Sequence, residues 1–143
     1  MDAGEKENTW EELFEAGQQH YINGQLAEAE QLFMTALVAA KRVRQGISDG
    51  IALIYSRLGD LCSERHEFQK AENFYRNALV EYENMQGDRA VDICISLKRI
   101  SEVCRIQSKN RQASNLAGRS RRLLDAKIKT LEKTFQSNWE ESA

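Results

Sequence analysis

Proline is absent from all 143 residues, where average usage near 5% would supply about seven. Proline removes a backbone donor and clashes with the preceding turn, so a chain without it has lost the usual breaker of long helices. Cysteine is scarce. Cys62, Cys94 and Cys104 are odd in number and stand in no Cys-x-x-Cys or Cys/His spacing, which argues against a disulfide framework or a zinc site and fits a reducing compartment. No stretch approaches the roughly 20 apolar residues of a membrane span. The N-terminal Met1-Asp2-Ala3-Gly4-Glu5-Lys6-Glu7 is polar and acidic where a secretory leader needs a basic start and an apolar run, so the expected setting is cytoplasmic. Neither sign of charge dominates: 20 Lys and Arg face 22 Asp and Glu, a net charge of -2, which argues against a general binder of nucleic acid or membrane surfaces. What is present, 41% apolar and 29% charged residues, is the composition of a globular chain. Its length suits one domain or a short array of repeated units.

Laid on itself, the chain repeats every 42 residues. That shift relates Gly17 to Gly59, Ala29 to Ala71, Glu30 to Glu72, Phe33 to Tyr75, Ala36 to Ala78 and Leu37 to Leu79. A second step takes Tyr55 to Leu97, Leu58 to Ile100 and Cys62 to Cys104. Three units follow, at about 10–46, 50–87 and 90–124, the third degenerate. Apolar residues within a unit recur at three and four, so each unit reads as two helices. Thr9 with Glu12 forms a capping box that opens the first helix near residue 10. Asn23-Gly24 ends it. The second helix is expected over 26–45 and the break between units at Gly46 to Gly50. Two more pairs follow: 50–64 with 68–85, and, from an N-cap at Asp88, 90–107 with a sixth helix after the turn at Lys109-Asn110. The expected fold is an all-α, α/α superhelical solenoid of three helix pairs, with 1–8 and 137–143 as flexible ends.

Small residues explain how the helices of a pair touch. Gly17 or Gly59 lets the backbones approach beside Ala29 or Ala71, while Phe33 or Tyr75 fills the adjoining space. At Gly17, Ala29, Phe33 and Ala36, and again at Gly59, Ala71, Tyr75 and Ala78, the sequence resembles the tetratricopeptide repeat family over about residues 10–125. The 42-residue period, longer than the family's common 34, resembles the kinesin light chain type of array. Two features depart from the pattern: the proline that usually closes a repeat is missing, and Ser101, Ala117 and Ser120 occupy the glycine, aromatic and alanine sites of unit three, which suggests a terminal, capping unit.

The resemblance implies a concave groove formed by the first helix of each unit, lined here by Phe14, Glu15, Gln18 and Tyr21, then Ser56, Arg57, Asp60 and Glu64, then Lys98, Arg99, Glu102 and Arg105. It implies a protein-interaction adaptor or scaffold that holds a peptide or partner protein, with no cofactor. Arg57 and Arg99 are related by the 42-residue shift and are expected side by side, a forked pair suited to a carboxylate or phosphate. Chaperone-tail readers of the family hold a C-terminal carboxylate with Lys, Asn, Asn, Lys and Arg. The corresponding positions here are Phe14, Gln18, Arg57, Ile95 and Arg99, of which only Arg99 matches. Kinesin light chain type grooves use Asn where this chain has Glu15, Arg57 and Arg99.

Catalysis finds little in the residues. His20 shares a core-facing site with Cys62 and Cys104 and reads as a buried packing residue, and His66 falls in a turn. No G-x-S-x-G, phosphate-binding glycine loop or H-E-x-x-H occurs; the cysteines read as small apolar fillers. The expectation is a protein that is not an enzyme.

Beyond the last repeat, Ala113, Leu116, Ala117, Ser120, Leu124, Ile128, Leu131 and Phe135 form one stripe that carries the sixth helix to about residue 136. The extension either covers the end of the array or packs on another copy, so a homo-oligomerisation module is one alternative function. Charge supplies another: residues 1–93 carry 9 basic and 17 acidic side chains, residues 94–143 carry 11 and 5, and the basic final third allows an RNA-binding accessory, although nucleic acid is the less favoured partner. Trp139 among acids in Asn138-Trp139-Glu140-Glu141 can dock on the surface of Arg57, Lys98 and Arg99 in its own or another chain and occlude it; the alternative is an exposed tail residue with no role.

Overall fold

Thr9 starts the first helix as its spacing from Glu12 predicts. In the computed structural model its hydroxyl accepts from the Glu12 N–H at 3.3 Å, and its own N–H donates to the Glu12 carboxylate at 3.0 Å. Residues 7–43 and 48–143 are described. They form six α-helices: α1 Trp10–Ile22, α2 Leu26–Val43, α3 Ser48–Glu64, α4 Phe68–Asn84, α5 Ala90–Ile106 and α6 Asn110–Glu141. Each helix packs on the next in sequence, giving three hairpins in a row. There is no strand among the described residues.

The turn inside each hairpin repeats atom for atom in its pattern. Gly24, His66 and Ser108 all take positive φ, 76°, 61° and 62°. The residue after each donates its N–H to the carbonyl five positions back: Gln25 to His20 O, Glu67 to Cys62 O and Lys109 to Cys104 O. This is the left-handed helix ending that satisfies otherwise orphaned carbonyls. Only the first unit uses glycine there.

Within a hairpin the glycine of the first helix lies under the aromatic ring of the second. A Cβ on Gly17 would sit 2.7 Å from Phe33 Cε1, and one on Gly59 would sit 2.5 Å from Tyr75 Cε1. The third unit replaces ring-on-glycine packing with hydroxyls. Ser101 donates to the Ala113 carbonyl at 2.8 Å, and Ser120 donates to the Cys94 carbonyl at 3.1 Å.

Two apolar clusters run between the hairpins. One joins Phe33, Ala36, Ile54, Leu58 and Leu61 of the first two units; the other joins Cys62, Tyr75, Leu97, Ile100 and Cys104 of the last two. His20 departs from its expected place. It is only partly buried, with Nδ1 2.6 Å from Gln25 Oε1, whereas Cys62 and Cys104 at the equivalent positions are fully covered.

Three boundaries differ from expectation. Gly50 is two residues inside α3, buried under the Trp10 indole, whereas the sequence made it the boundary, the last residue of the break and the first of the helix. α5 starts after Arg89, and Asp88 serves one residue earlier by accepting from the Ala90 N–H at 3.1 Å. α6 runs on to Glu141 and so takes in residues of the expected tail. The expected end of the second helix at Gln45, the break at Gly46 and the segment 1–6 lie outside the described residues.

Neighbouring hairpins are also clamped through their turns. Glu30 of α2 pairs with Arg65, and Glu72 of α4, one repeat on, accepts from Gln107 Nε2 at 3.0 Å, Lys109 Nζ at 2.8 Å and Arg76 Nε at 2.8 Å. Burial by itself would raise the Glu72 pKa; the bonds from Lys109, Arg76 and Gln107 overcome it and hold the carboxyl at about 2.

Helix propensity alone would make Gly59→Ala stabilising by about 1 kcal/mol. The Tyr75 ring reverses the sign: the substitution is expected to destabilise by about 1–3 kcal/mol in urea unfolding, and an unchanged or higher midpoint contradicts the packing. For Glu72, the folded pKa lies below the ordinary 4.5, so its contribution is complete above that value and disappears as pH falls toward 2. Stability followed over that window should fall less steeply in Glu72→Gln than in wild type; parallel curves would remove the clamp from the account.

Candidate functional site

The first helix of each pair, α1, α3 and α5, presents polar side chains that meet across unit boundaries. Gln18 Oε1 on α1 accepts from Arg57 Nε on α3 at 3.0 Å. One repeat later, Asp60 on α3 pairs with Arg99 on α5 at 3.7 Å. Both contacts span 39 residues, so a single geometry is used twice. Asp60 is the junction. It also accepts from Arg57 at 3.2 Å and from the Tyr75 hydroxyl at 2.7 Å, and the Arg99 guanidinium lies 5.8 Å from the centre of the Tyr75 ring. Burial, then the hydrogen bond to Asp60, pushes the Tyr75 phenol well above its ordinary value.

Of the expected site residues, Gln18, Arg57, Asp60 and Arg99 come together in this network. Tyr21 joins the same face by donating to Glu64 on α3, and burial followed by that bond raises its pKa. Lys98, Glu102 and Arg105 are exposed on α5 and make no ion pair among the described residues. Phe14 is a correction. It is only 8% exposed, with its ring 5.6 Å from that of Phe33, so it belongs to the core: an aromatic at this point of α1 is drawn onto the partner helix and not into the groove.

Arg57 and Arg99 close one end of a cleft of about 180 Å³ lined also by Leu53, Ser56, Tyr82, Asp92, Ile95 and Ser96. Leu53 and Ile95 are exposed apolar edges, at 36% and 46%. Sequence reading placed Ser56 and Arg57 here but missed Leu53, Tyr82, Asp92 and Ser96. Leu53 and Tyr82 fall outside the small-residue and aromatic motif, and only the α-helical offset from Arg57 to Leu53 pointed to the latter. A larger hollow of about 400 Å³ lies at the other end of the molecule, between the first turn of α1 and the end of α2 around Trp10, Ala39 and Val43. Its lining also includes Glu7, Asn8, Thr9, Glu11 and Arg42, none of which belongs to the network on α1, α3 and α5.

The arrangement suits recognition by hydrogen bonding. A guanidinium has five donors; Asp60 and Gln18 engage some from Arg57 and Arg99, leaving others to meet carbonyl or carboxylate oxygens between two apolar edges. It does not resemble an activated nucleophile site. Cys62, Cys94 and Cys104 are buried, and burial pushes the Cys62 thiol up to about 11, away from the reactive thiolate. Among the described residues no three His, Cys, Asp or Glu are grouped to hold a metal, and no helix is long and apolar enough to cross a membrane. Trp139 is 71% exposed on the far part of α6 and is not docked on Arg57 and Arg99 within the chain.

Residues 11–79 match the tetratricopeptide repeat family. Among solved structures, BtubC (BKLC) from P. vanneervenii is similar to this chain with a TM-score of 0.78 and 17% identity, over 83% of this chain and 48% of that one. The chain thus spans about half the length of that structure, and at this identity the likeness is one of fold. No curated protein matches the sequence.

The Asp60 junction yields a stability test. Asp60→Ala leaves the Tyr75 hydroxyl and two guanidiniums without their shared acceptor, an expected loss of about 1–3 kcal/mol. The same change should bring the Tyr75 phenol's titration down toward the ordinary 10.0. Ultraviolet titration of tyrosinate with urea unfolding checks both, and finding neither change would refute the junction.

Proposed function

We propose that this chain, whose residues 11–79 match the tetratricopeptide repeat family, is a non-catalytic adaptor whose concave face holds an extended peptide segment of a partner protein. Repeats of this family generally mediate protein–protein interaction. The observation that carries the reading for this chain is the convergence of Arg57 and Arg99 on Asp60 at the end of a cleft edged by Leu53 and Ile95. Such a cleft fits a peptide that presents an acidic side chain or main-chain carbonyls to the guanidiniums and a large apolar residue to the edges. Tyr21, Lys98, Glu102 and Arg105 extend the same face and set which flanking residues are accepted.

The absence of an activated thiol and the three buried free cysteines support a binding protein working in a reducing, cytoplasmic compartment. An RNA-binding role draws less support. Two of the basic side chains on α6 are engaged, Arg119 by Glu83 and Lys127 by Asp88, which weakens the positive surface that phosphate binding needs.

A displayed peptide library sorted on the wild-type protein is expected to return sequences that combine an acidic residue with a large apolar one. Loss of one charge-assisted hydrogen bond is worth about 1.5–3 kcal/mol, so Arg57→Glu/Arg99→Glu is expected to weaken the selected peptides at least ~10-fold while circular dichroism stays helical. The same peptides binding both proteins equally would discard this groove.

A further inference from the structure

The two halves of α6 have different surroundings. Ala113, Leu116 and Leu123 pack into the second apolar cluster, and Lys127 reaches Asp88 at the start of α5. From Ile128 to the end of the helix every residue is exposed. The cause is length: α6 has 32 residues and its antiparallel neighbour α5 has 17. The helix therefore projects by about 1.5 Å per residue beyond the hairpin it belongs to. Its first half covers the end of the array; its second half covers nothing within the chain.

That second half is not polar. Leu124, Ile128, Leu131, Phe135 and Trp139 are exposed at 46%, 45%, 55%, 71% and 71%, and they recur at four, three, four and four residues. This spacing forms the narrow seam of a two-helix coiled coil. A single helix of this length with a bare apolar stripe is marginal in water, so the seam calls for a partner surface of the same kind.

We propose that the seam pairs with the same seam of a second copy of this chain, the two α6 helices running antiparallel. Charge selects both the occupant and the direction. Lys129 and Lys133 are offset by Glu132 and Glu140 on the projecting segment, so it lacks the basic excess that would direct it to an anionic membrane or to nucleic acid. Along the axis the charge is segregated, with Arg121 and Arg122 near the start of the seam and Glu140 and Glu141 at its end. Parallel pairing would set each cluster beside its own copy. Antiparallel pairing, with Leu124 opposite the partner copy's Phe135 and Ile128 opposite its Leu131, brings the acidic end of one helix within about a turn of the basic start of the other. It also carries Trp139 to the level of Arg121, within reach of a cation–π contact, and leaves the two repeat arrays at opposite ends of the joint.

Light scattering on the full chain is expected to give twice the 16.4 kDa chain mass at high micromolar concentration. Leu131→Glu/Phe135→Glu should give the single mass with the helical spectrum and unfolding midpoint of the array retained, since both side chains are solvent-exposed in the single chain. Direction is read by oxidising a mixture of Leu124→Cys and Phe135→Cys proteins. The antiparallel pair forms the mixed cross-link and little from either protein alone; the native thiols, 0–7% exposed, are shielded. A wild type that stays single overturns the proposal. So does a dimer that survives Leu131→Glu/Phe135→Glu but is lost in Arg57→Glu/Arg99→Glu, which would mean that the groove is the joint. Cross-links confined to the unmixed proteins would overturn the antiparallel direction.

Discussion

Each hairpin in this molecule completes the burial of its apolar side chains by stacking on the next at a fixed offset. Ile54, Leu58 and Leu61 of α3 are covered by the first unit on one side and by α4 on the other, and Leu97 and Ile100 repeat the arrangement one unit later. Every other feature inherits that offset. Hydrogen bonds between units span 35 to 43 residues, from Glu30 with Arg65 to Tyr21 with Glu64, close to one repeat each. A shift of one helical turn between units would break the apolar fit and these polar clamps together, which is why the register is well specified.

The polar face of α1, α3 and α5 is a consequence of this register. Arg57 and Arg99 are distant in sequence, and each is held on the preceding unit by the same geometry, once by Gln18 and once by Asp60. The change from Gln18 to Asp60 between equivalent positions matters chemically. A carboxylate gathers the two guanidiniums and the Tyr75 hydroxyl that an amide could not hold together. The proposed peptide recognition needs no strained backbone or unusual thiol; it needs several ordinary side chains fixed at the spacing of an extended chain.

The sequence made the helices and their pairing readable because glycine, alanine and aromatic residues recur at a constant interval, and because nothing in the chain breaks a helix. It also foretold the meeting of Arg57 and Arg99. It did not foretell that Phe14 would turn inward, since an aromatic at the groove position of a helix serves equally well as a packing residue, and the choice depends on where Phe33 lies. Nor did it separate the two halves of α6: one continuous stripe served both as cover for unit three and as a bare seam, and only the length of α5 divides them. The start of α3 was set two residues late for a similar reason. A glycine near a break reads as the boundary, whereas here it makes room inside α3 for Trp10.

The fixed offset between units can be measured as a coupling energy. Glu72 and Lys109 sit on different hairpins and meet only if the third docks on the second in this register. In a double-mutant cycle of Glu72→Ala and Lys109→Ala followed by urea unfolding, the account predicts an interaction energy of about 1 kcal/mol or more. Additivity within about 0.3 kcal/mol would mean that the two hairpins do not stack at this offset.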